Sequence, residues 1–305
     1  MANEVFWSAV ETDSGRQLLL SEILLAAGDT AMVENHPAIM DAIDVTGTQS
    51  DSADIREDDI NGATLLATIA ENGSWSNTAW TDTKYSVAVA HYFQQYTISD
   101  LLSMVQDGQF DPARFARAYK IAESMTWCNL FATTGATFTQ TLSDTGAAPN
   151  LDDLYTANYV LETQYGADGP KMALLHPKQA YNLSLDAEFT QAHNASVNDP
   201  EALALARAAG GTYVGRYRGI DVYKSFKVPT AGGKHQGCIF TRGAIAKAVG
   251  TPQGDGGYAR AVTLGRLRFA QERDPTGPRY ALRGETFLGA AKFQDFRGGL
   301  FKSPV

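Results

Sequence analysis

Residues 111–135, Asp-Pro-Ala-Arg-Phe-Ala-Arg-Ala-Tyr-Lys-Ile-Ala-Glu-Ser-Met-Thr-Trp-Cys-Asn-Leu-Phe-Ala-Thr-Thr-Gly, predict a long helix around which the rest of the chain is organised. Asp111 is a favourable N-cap, and Pro112 suits the first helical position because no N–H is needed there. Lys120 and Glu123 fall outside the apolar face, and Gly135 can close the helix in the left-handed conformation. The apolar face recurs at three- and four-residue steps and consists of Phe115, Ala118, Tyr119, Ala122, Met125 and Cys128.

The composition predicts a mixed α+β protein. The chain has 305 residues, of which 44% are hydrophobic and 19% charged, and a chain of this length usually folds as two lobes. Its formal net charge of −9 argues against a dedicated nucleic-acid-binding module, which needs a basic face. Cys128 and Cys238 are too few for a disulfide framework. The N-terminus lacks the basic start and apolar run of a signal peptide, so we expect synthesis in the cytoplasm.

The segment before the helix predicts a long two-stranded excursion with an acidic leading limb. Six carboxylates and one arginine lie between Asp44 and Gly62. Asn72-Gly73 favours a type I′ hairpin turn, and residues 81–98 have strand composition with Tyr85 to Phe93 alternating onto one face. An isolated hairpin is marginal in water, so this loop needs another surface to persist.

The segments after the helix alternate between short helices and strands. We predict a helix over 150–166, a buried strand over 172–175, a helical segment over 201–209 and a short helix over 244–249. Predicted strands occupy 212–217, 220–226, 237–241, 258–270 and 279–296.

The sequence contains no recognisable catalytic motif. Phosphate-loop and nucleophile-elbow patterns are absent, and the five histidines are scattered without metal-ligand spacing. His176 before Pro177 is either a catalytic or ligand residue or, as we favour, a cap for the helix that Pro177 opens. The adjacent pairs Asp58-Asp59 and Asp152-Asp153 are interpreted as solvated or helix-dipole charge rather than metal ligands. We therefore expect no enzyme activity, no cofactor and no metal.

The order of these segments resembles that of the major capsid proteins of tailed bacteriophages, which have the Hong Kong 97 type fold. Three short stretches carry the likeness in detail: Met172-Ala-Leu-Leu-His-Pro177, Gly219-Ile-Asp-Val-Tyr223 and Phe240-Thr-Arg-Gly-Ala-Ile-Ala246. The resemblance implies an N-terminal arm (1–45), an extended β-loop (46–84), and a peripheral domain (85–149 and 256–305) containing the spine helix 111–135. It also implies a mixed α/β axial domain (150–255).

The resemblance further implies a structural role in a virion capsid. The subunit would assemble into hexamers and pentamers of an icosahedral shell around double-stranded DNA, bound without sequence specificity, with a separate scaffolding protein, a portal and no membrane. Some members of the family join subunits through a lysine–asparagine bond, but this chain has no asparagine after Asn198. Two alternatives stay open: an encapsulin-like nanocompartment shell, and a soluble α/β enzyme with an unrecognised site.

Charge and large apolar residues mark the candidate subunit interface. The acidic limb precedes the helix, whereas residues 258–302 contain nine basic and four acidic residues. Opposite charge on these two segments predicts that they help to join neighbouring subunits, together with tryptophans of the arm and the loop. The candidate interface residues are Trp7, Asp51, Asp54, Glu57, Asp58, Asp59, Trp75, Trp80, Arg266, Arg268, Arg279, Arg283 and Arg297.

Overall fold

The fold was analysed in a computed structural model, which describes residues 36–40, 43–46, 52–58, 82–99, 112–165, 169–186, 213–217, 219–252, 261–264, 267–273 and 279–305. Its helices are α1 (Pro112–Gly135), α2 (Leu151–Tyr165) and α3 (Pro177–Ser184), with a 3-10 helix at Asp295–Arg297. Its strands are β1 (Ile43–Asp44), β2 (Ser52–Asp58), β3 (Asp82–Ala88), β4 (Ala90–Ser99), β5 (Thr141–Asp144), β6 (Lys171–Leu175), β7 (Tyr213–Tyr217), β8 (Ile220–Lys224), β9 (Thr230–Ala231), β10 (Lys234–Thr241), β11 (Ile245–Gly250), β12 (Ala261–Leu264), β13 (Leu267–Arg273), β14 (Arg279–Lys292) and β15 (Gly298–Pro304).

The predicted long helix is confirmed as α1, although its buried face is rotated from the predicted one. Met125 is 40% exposed, whereas Lys120 and Glu123 are buried and pair with each other at 3.4 Å. The aromatic side chains decide this orientation, because Trp127 and Phe131 stack at 5.2 Å and both are fully buried. The predicted N-cap, Asp111, lies outside the described residues.

A seven-stranded sheet is covered by helices on both faces, in the order β5-β15-β10-β6-β8-β7 with β9 paired to β10. All five residues of β6 are buried, as expected for a central strand. Met172 and Leu174 pack into the cluster that contains Cys128 and Phe131 of α1. Ala173 and Leu175 point to the other face and pack with apolar residues of α2 and α3, namely Leu151, Leu154, Ala157, Leu161, Ala180 and Leu183.

A six-stranded sheet is built on β14, the longest of the described strands, which pairs with β4, β11 and β13. The prediction of a short helix over 244–249 is wrong, because these residues form β11. Residues of β11 pair with β14 in antiparallel and with β1 in parallel orientation. Strand pairing on both edges and near-complete burial override the helix propensity of the alanines.

Strands β2 and β3 form a separate two-stranded ribbon, with Ile55 opposite Tyr85 and Arg56 opposite Lys84. This confirms the predicted pairing at the base of the excursion. The ribbon base has a core within its own chain, since Ala53 and Val87 pack with Ala246, Ala248 and Phe293. The surface that the excursion needs is thus supplied, for these residues, by its own chain. Residues 59–81 lie outside the described part of the chain.

The C-terminal residues contain a strand that the sequence did not predict. β14 ends at Lys292, and β15 crosses into the seven-stranded sheet, where it pairs with β10 and β5. β11, in contrast, belongs to the six-stranded sheet. Sheet membership thus crosses the predicted boundary at 255/256 in both directions, and the division into peripheral and axial domains stays a prediction. Among the described residues, the structure has no helix long and apolar enough to cross a membrane.

Candidate subunit interface

Strand β2 carries most of the acidic limb, and Asp54 is the one acidic interface candidate whose side chain is described. Asp54 Oδ2 lies 2.8 Å from Nζ of Lys84 across the ribbon, and both side chains are about half exposed. Glu57 and Asp58 continue the same strand, opposite Thr83 and Asp82. The other acidic and aromatic candidates lie outside the described residues: Trp7, Asp51, Asp59, Trp75 and Trp80.

The basic candidates occupy different environments. Arg268 on β13 is only 7% exposed, and its guanidinium contacts the buried Glu285 carboxylate of β14. Arg283, also on β14, donates from Nε to Oε1 of Gln95 on β4 at 2.7 Å and is partly exposed. Arg268 therefore acts inside its own subunit and has little surface to offer a neighbour.

The two remaining described arginines lie at the ends of β14. The backbone of Arg279 pairs with Ser99 of β4 in the register of the six-stranded sheet. Arg297, after β14, donates from Nη1 to the carbonyl of Arg242 at 3.1 Å and packs over the Phe296 ring. Arg266 lies outside the described residues.

Exposed aromatic residues add candidates that the sequence analysis missed. Phe226, in the turn after β8, is 79% exposed, and Phe93 on β4 is 67% exposed. Phe93 was predicted on one face with Val87, which is fully buried. The difference arises because the strand is interrupted at Val89, so β3 and β4 do not share one alternation. Large exposed aromatic side chains are typical of protein contact surfaces.

A buried charge cluster fixes residues 36–40 against the seven-stranded sheet. Nε2 of His36 lies 2.7 Å from Oδ2 of Asp221 on β8, and both side chains are buried. Arg216 on β7 contacts the same carboxylate through Nε at 2.8 Å and Nη2 at 3.1 Å. Burial alone would raise the pKa of Asp221, but hydrogen bonds from His36 and Arg216 outweigh it, and the pKa is lowered. The cluster therefore anchors His36 to strand β8 of the seven-stranded sheet.

The predicted cap at the end of β6 is confirmed. Nδ1 of His176 accepts from the backbone N–H of Lys178 at 3.2 Å, and Oε1 of Gln179 accepts from the His176 N–H at 2.9 Å. The two groups form a reciprocal capping arrangement at the start of α3. His176 thus has the structural role that the sequence analysis favoured.

Among the described residues, few side chains are arranged for catalysis or metal binding. Among them, no three His, Cys, Asp or Glu side chains are grouped so that they could hold a metal ion. Burial raises the pKa of the Cys238 thiol to about 12, so it stays a thiol at neutral pH. A small groove of about 70 Å³ between α1 and β4 is lined by Tyr92, Tyr119 and Glu123 but by no histidine or cysteine.

Comparison with known proteins identifies the fold. No family model matches the chain, and no curated protein matches it. The capsid of a native GTA particle matches with a TM-score of 0.56 and 14% identity, covering 92% of this chain and 91% of that one. The capsid of Ralstonia phage GP4 matches with a TM-score of 0.55 and 11% identity, covering 90% and 92%. The head of Helicobacter pylori bacteriophage KHP40 matches with a TM-score of 0.51 and 11% identity, covering 88% and 87%.

These matches extend over nearly the full length of both chains, so they concern the whole architecture rather than one sheet or helix. The resemblance to tailed-bacteriophage capsid proteins that the sequence indicated is therefore confirmed at the level of the fold. The mixed α+β class is confirmed with it.

Proposed function

We propose that this chain is the major capsid protein of a tailed bacteriophage, a structural subunit of the icosahedral head. The observation that carries the proposal is a fold shared with phage capsid subunits over about nine-tenths of the chain. An encapsulin-type cargo shell is the less favoured alternative, since the three matching structures reported above are capsids of phages and of a GTA particle.

A shell subunit works through surfaces that its neighbours cover. Symmetric shells repeat one contact many times, so even weak contacts add up to a stable assembly. In this proposal the subunits form hexamers and pentamers, and residues 46–84 lie mainly on a neighbouring subunit beyond the ribbon base. The shell encloses double-stranded DNA without reading its sequence, which a net charge of −9 permits because the inner surface need not bind DNA tightly.

Opposite charge contributes to the subunit contacts in this proposal. Asp51, Glu57, Asp58 and Asp59 supply the acidic partner, and Arg266, Arg279, Arg283 and Arg297 supply the basic partner. Asp54 and Arg268 contribute less because Lys84 and Glu285 already neutralise them within the subunit. Trp7, Trp75 and Trp80 complete the contact as apolar anchors. A scaffolding protein and a portal would direct assembly during head formation in the bacterial host.

The decisive experiment measures the size of the purified assembly. Size-exclusion chromatography and negative-stain microscopy of the expressed protein, with and without co-expressed head genes, should reveal closed particles tens of nanometres across or the capsomers that build them. Particles from infected cells should contain nuclease-protected double-stranded DNA. A monomer or dimer under all of these conditions would contradict the proposal, and particles that retain a bound enzyme instead of DNA would support the cargo shell.

A further inference from the structure

Two histidines from different elements stack face to face at one end of the seven-stranded sheet. The rings of His176, at the end of β6, and His235, near the start of β10, have centroids 3.7 Å apart and planes within 9° of each other. Their hydrogen bonds join three elements. His176 caps α3 through the Lys178 N–H, and Nδ1 of His235 lies 3.2 Å from Oγ1 of Thr230 on β9.

The hydrogen bonds require His176 to be neutral. Its Nδ1 accepts from a backbone N–H, so a proton on this atom would leave two donors facing each other and would remove the cap of α3. A positive charge at a helix N-terminus is also unfavourable because the helix dipole places positive potential there. His176 therefore cannot carry a positive charge and cap α3 at the same time.

The surroundings of His235 also disfavour a cation. The residue is 4% exposed, and its buried Nε2 has no hydrogen-bond partner among the described residues. Across the strand pair, His235 is opposite Ser303 of β15, whose hydroxyl is buried as well. A proton added to the imidazole would create a buried charge without an acceptor.

The charged groups around the pair add to this effect. Desolvation by burial lowers the pKa of both rings, and the charge of Lys178 on α3 lowers both further. Each ring would also repel a charge on the other. Lys234 precedes His235 and contacts Asp144 of β5, so that carboxylate already has a cation as its partner. From β9, the neighbouring group is the uncharged Thr230 hydroxyl.

We propose that the His176–His235 stack is an acid-sensitive clasp, which holds α3 and the β9–β10 corner together while both rings are neutral and opens when either ring takes up a proton. The clasp is independent of the proposed capsid function, since it follows from local contacts. Its opening releases the start of α3 and the β9–β10 turn, whereas the central strands stay paired. Mild acid thus loosens one corner of the subunit before the whole fold is lost.

Hydrogen exchange followed by mass spectrometry on the 305-residue chain tests the clasp, with rates corrected for the intrinsic effect of pH. Between pH 7.5 and 5, protection of peptides covering 177–184 and 230–236 should fall, and it should fall by about tenfold per pH unit for each proton taken up on opening. A peptide from α2 serves as the internal reference. Unchanged protection of both test peptides at pH 5 would overturn the proposal, as would an equal loss in α2.

His176→Asn is the informative variant, because asparagine accepts the same N-cap hydrogen bond and does not titrate. It should keep 177–184 protected at pH 5 because the cap no longer titrates, whereas 230–236, where His235 is unchanged, should still lose protection. The control His91→Asn, at an exposed histidine on β4, should behave like the unchanged chain. Titration of the imidazole 13C resonances in the unchanged chain provides a second measurement that does not depend on the variant folding. Both rings should titrate below pH 6.5, and a normal or raised midpoint for either ring would overturn the clasp.

Discussion

Gly135, the last residue of α1, lies directly against Cys238 of β10. A Cβ atom on Gly135 would come within 2.1 Å of the Cys238 Sγ, and that thiol is fully buried. The glycine is therefore required by a close approach of helix and strand. The sequence analysis assigned it to a left-handed helix end, but Gly135 is not among the glycines with positive φ.

We predict that Gly135→Ala destabilises the fold through this contact. Overpacking of a full core costs about 1–3 kcal/mol, measured as the free energy of unfolding in urea. Gly146→Ala is the matched control, since nothing lies within 4 Å of a Cβ placed at Gly146. Cys238→Ala in the Gly135→Ala background should recover part of the loss. Equal stability of the two glycine variants would contradict the close approach.

We predict opposite outcomes for two apolar residues of α1 that the sequence placed on the same face. Tyr119 is 3% exposed and lies edge-on to Phe269 at 5.2 Å, so Tyr119→Ala should cost about 3–5 kcal/mol. Met125 is 40% exposed, and Met125→Ala should change stability by no more than about 0.5 kcal/mol. Thermal unfolding of both variants measures the difference, and a large loss in Met125→Ala alone would reverse the assigned face.

Local signals located the long helix but not its orientation. The proline start and apolar spacing are properties of the segment itself, and they predicted α1 within one residue. Which face is buried depends on distant residues, because Lys120 and Glu123 can enter the core only as a pair. Distant residues also explain why β11 was predicted as a helix. Its alanines favour a helix, and only pairing with β1 and β14 makes the segment a strand.

The sequence predicted which residues of the candidate interface are charged, but not which of those charges are free to contact a neighbouring subunit. A count of charged residues found Arg268 and Asp54, yet it could not show that Glu285 and Lys84 neutralise them within the subunit. Those partners are 17 and 30 residues away in the chain, and only the sheet register brings them together.

The Arg268–Glu285 pair should be far more important for stability than the Asp54–Lys84 pair. Both Arg268 and Glu285 are buried, so Glu285→Ala leaves an uncompensated charge and should cost about 3–5 kcal/mol. Asp54→Ala breaks an exposed pair and should cost about 0–1 kcal/mol. Urea denaturation of the two variants provides the comparison. If Arg268→Met with Glu285→Leu is less stable than Glu285→Ala, the charge explanation is wrong.

Asp221 should make stability depend on pH in the acid range. Its folded-state pKa is lowered by His36 and Arg216, so the stabilisation is complete above the unfolded pKa of about 3.9 and is lost as the pH falls through the folded value. Asp221→Asn should therefore lower the free energy of unfolding at pH 7. The loss should lie toward the lower end of about 3–5 kcal/mol, because Arg216 is partly exposed. The difference from the unchanged chain should shrink below about pH 4. Asp152→Asn, at an exposed position on α2, is the control and should cost much less stability at pH 7.

Reversing the charges of either the acidic limb or β14 should impair assembly, and reversing both together should restore part of it. Asp54 and Arg268 are left unchanged because Lys84 and Glu285 already pair with them within the chain. Asp58→Arg with Asp59→Arg should lower particle yield, and Arg279→Glu with Arg283→Glu should do the same. Carrying all four changes should recover some particles if these charges face each other between subunits.

Salt provides an independent control for this exchange. Each exposed pair contributes only about 0–1 kcal/mol, but a shell repeats the contact in every subunit, so assembly should respond where the isolated subunit does not. Screening shortens from about 10 Å at 0.1 M salt to about 3 Å at 1 M, and the yield of the unchanged chain should fall over that range. Asp152→Arg, on α2 and outside both charged segments, controls for a general effect of charge reversal. If the acidic-limb exchange leaves yield and salt dependence unchanged, apolar contacts through Trp75 and Trp80 hold the loop instead, and their replacement by alanine should then abolish particles.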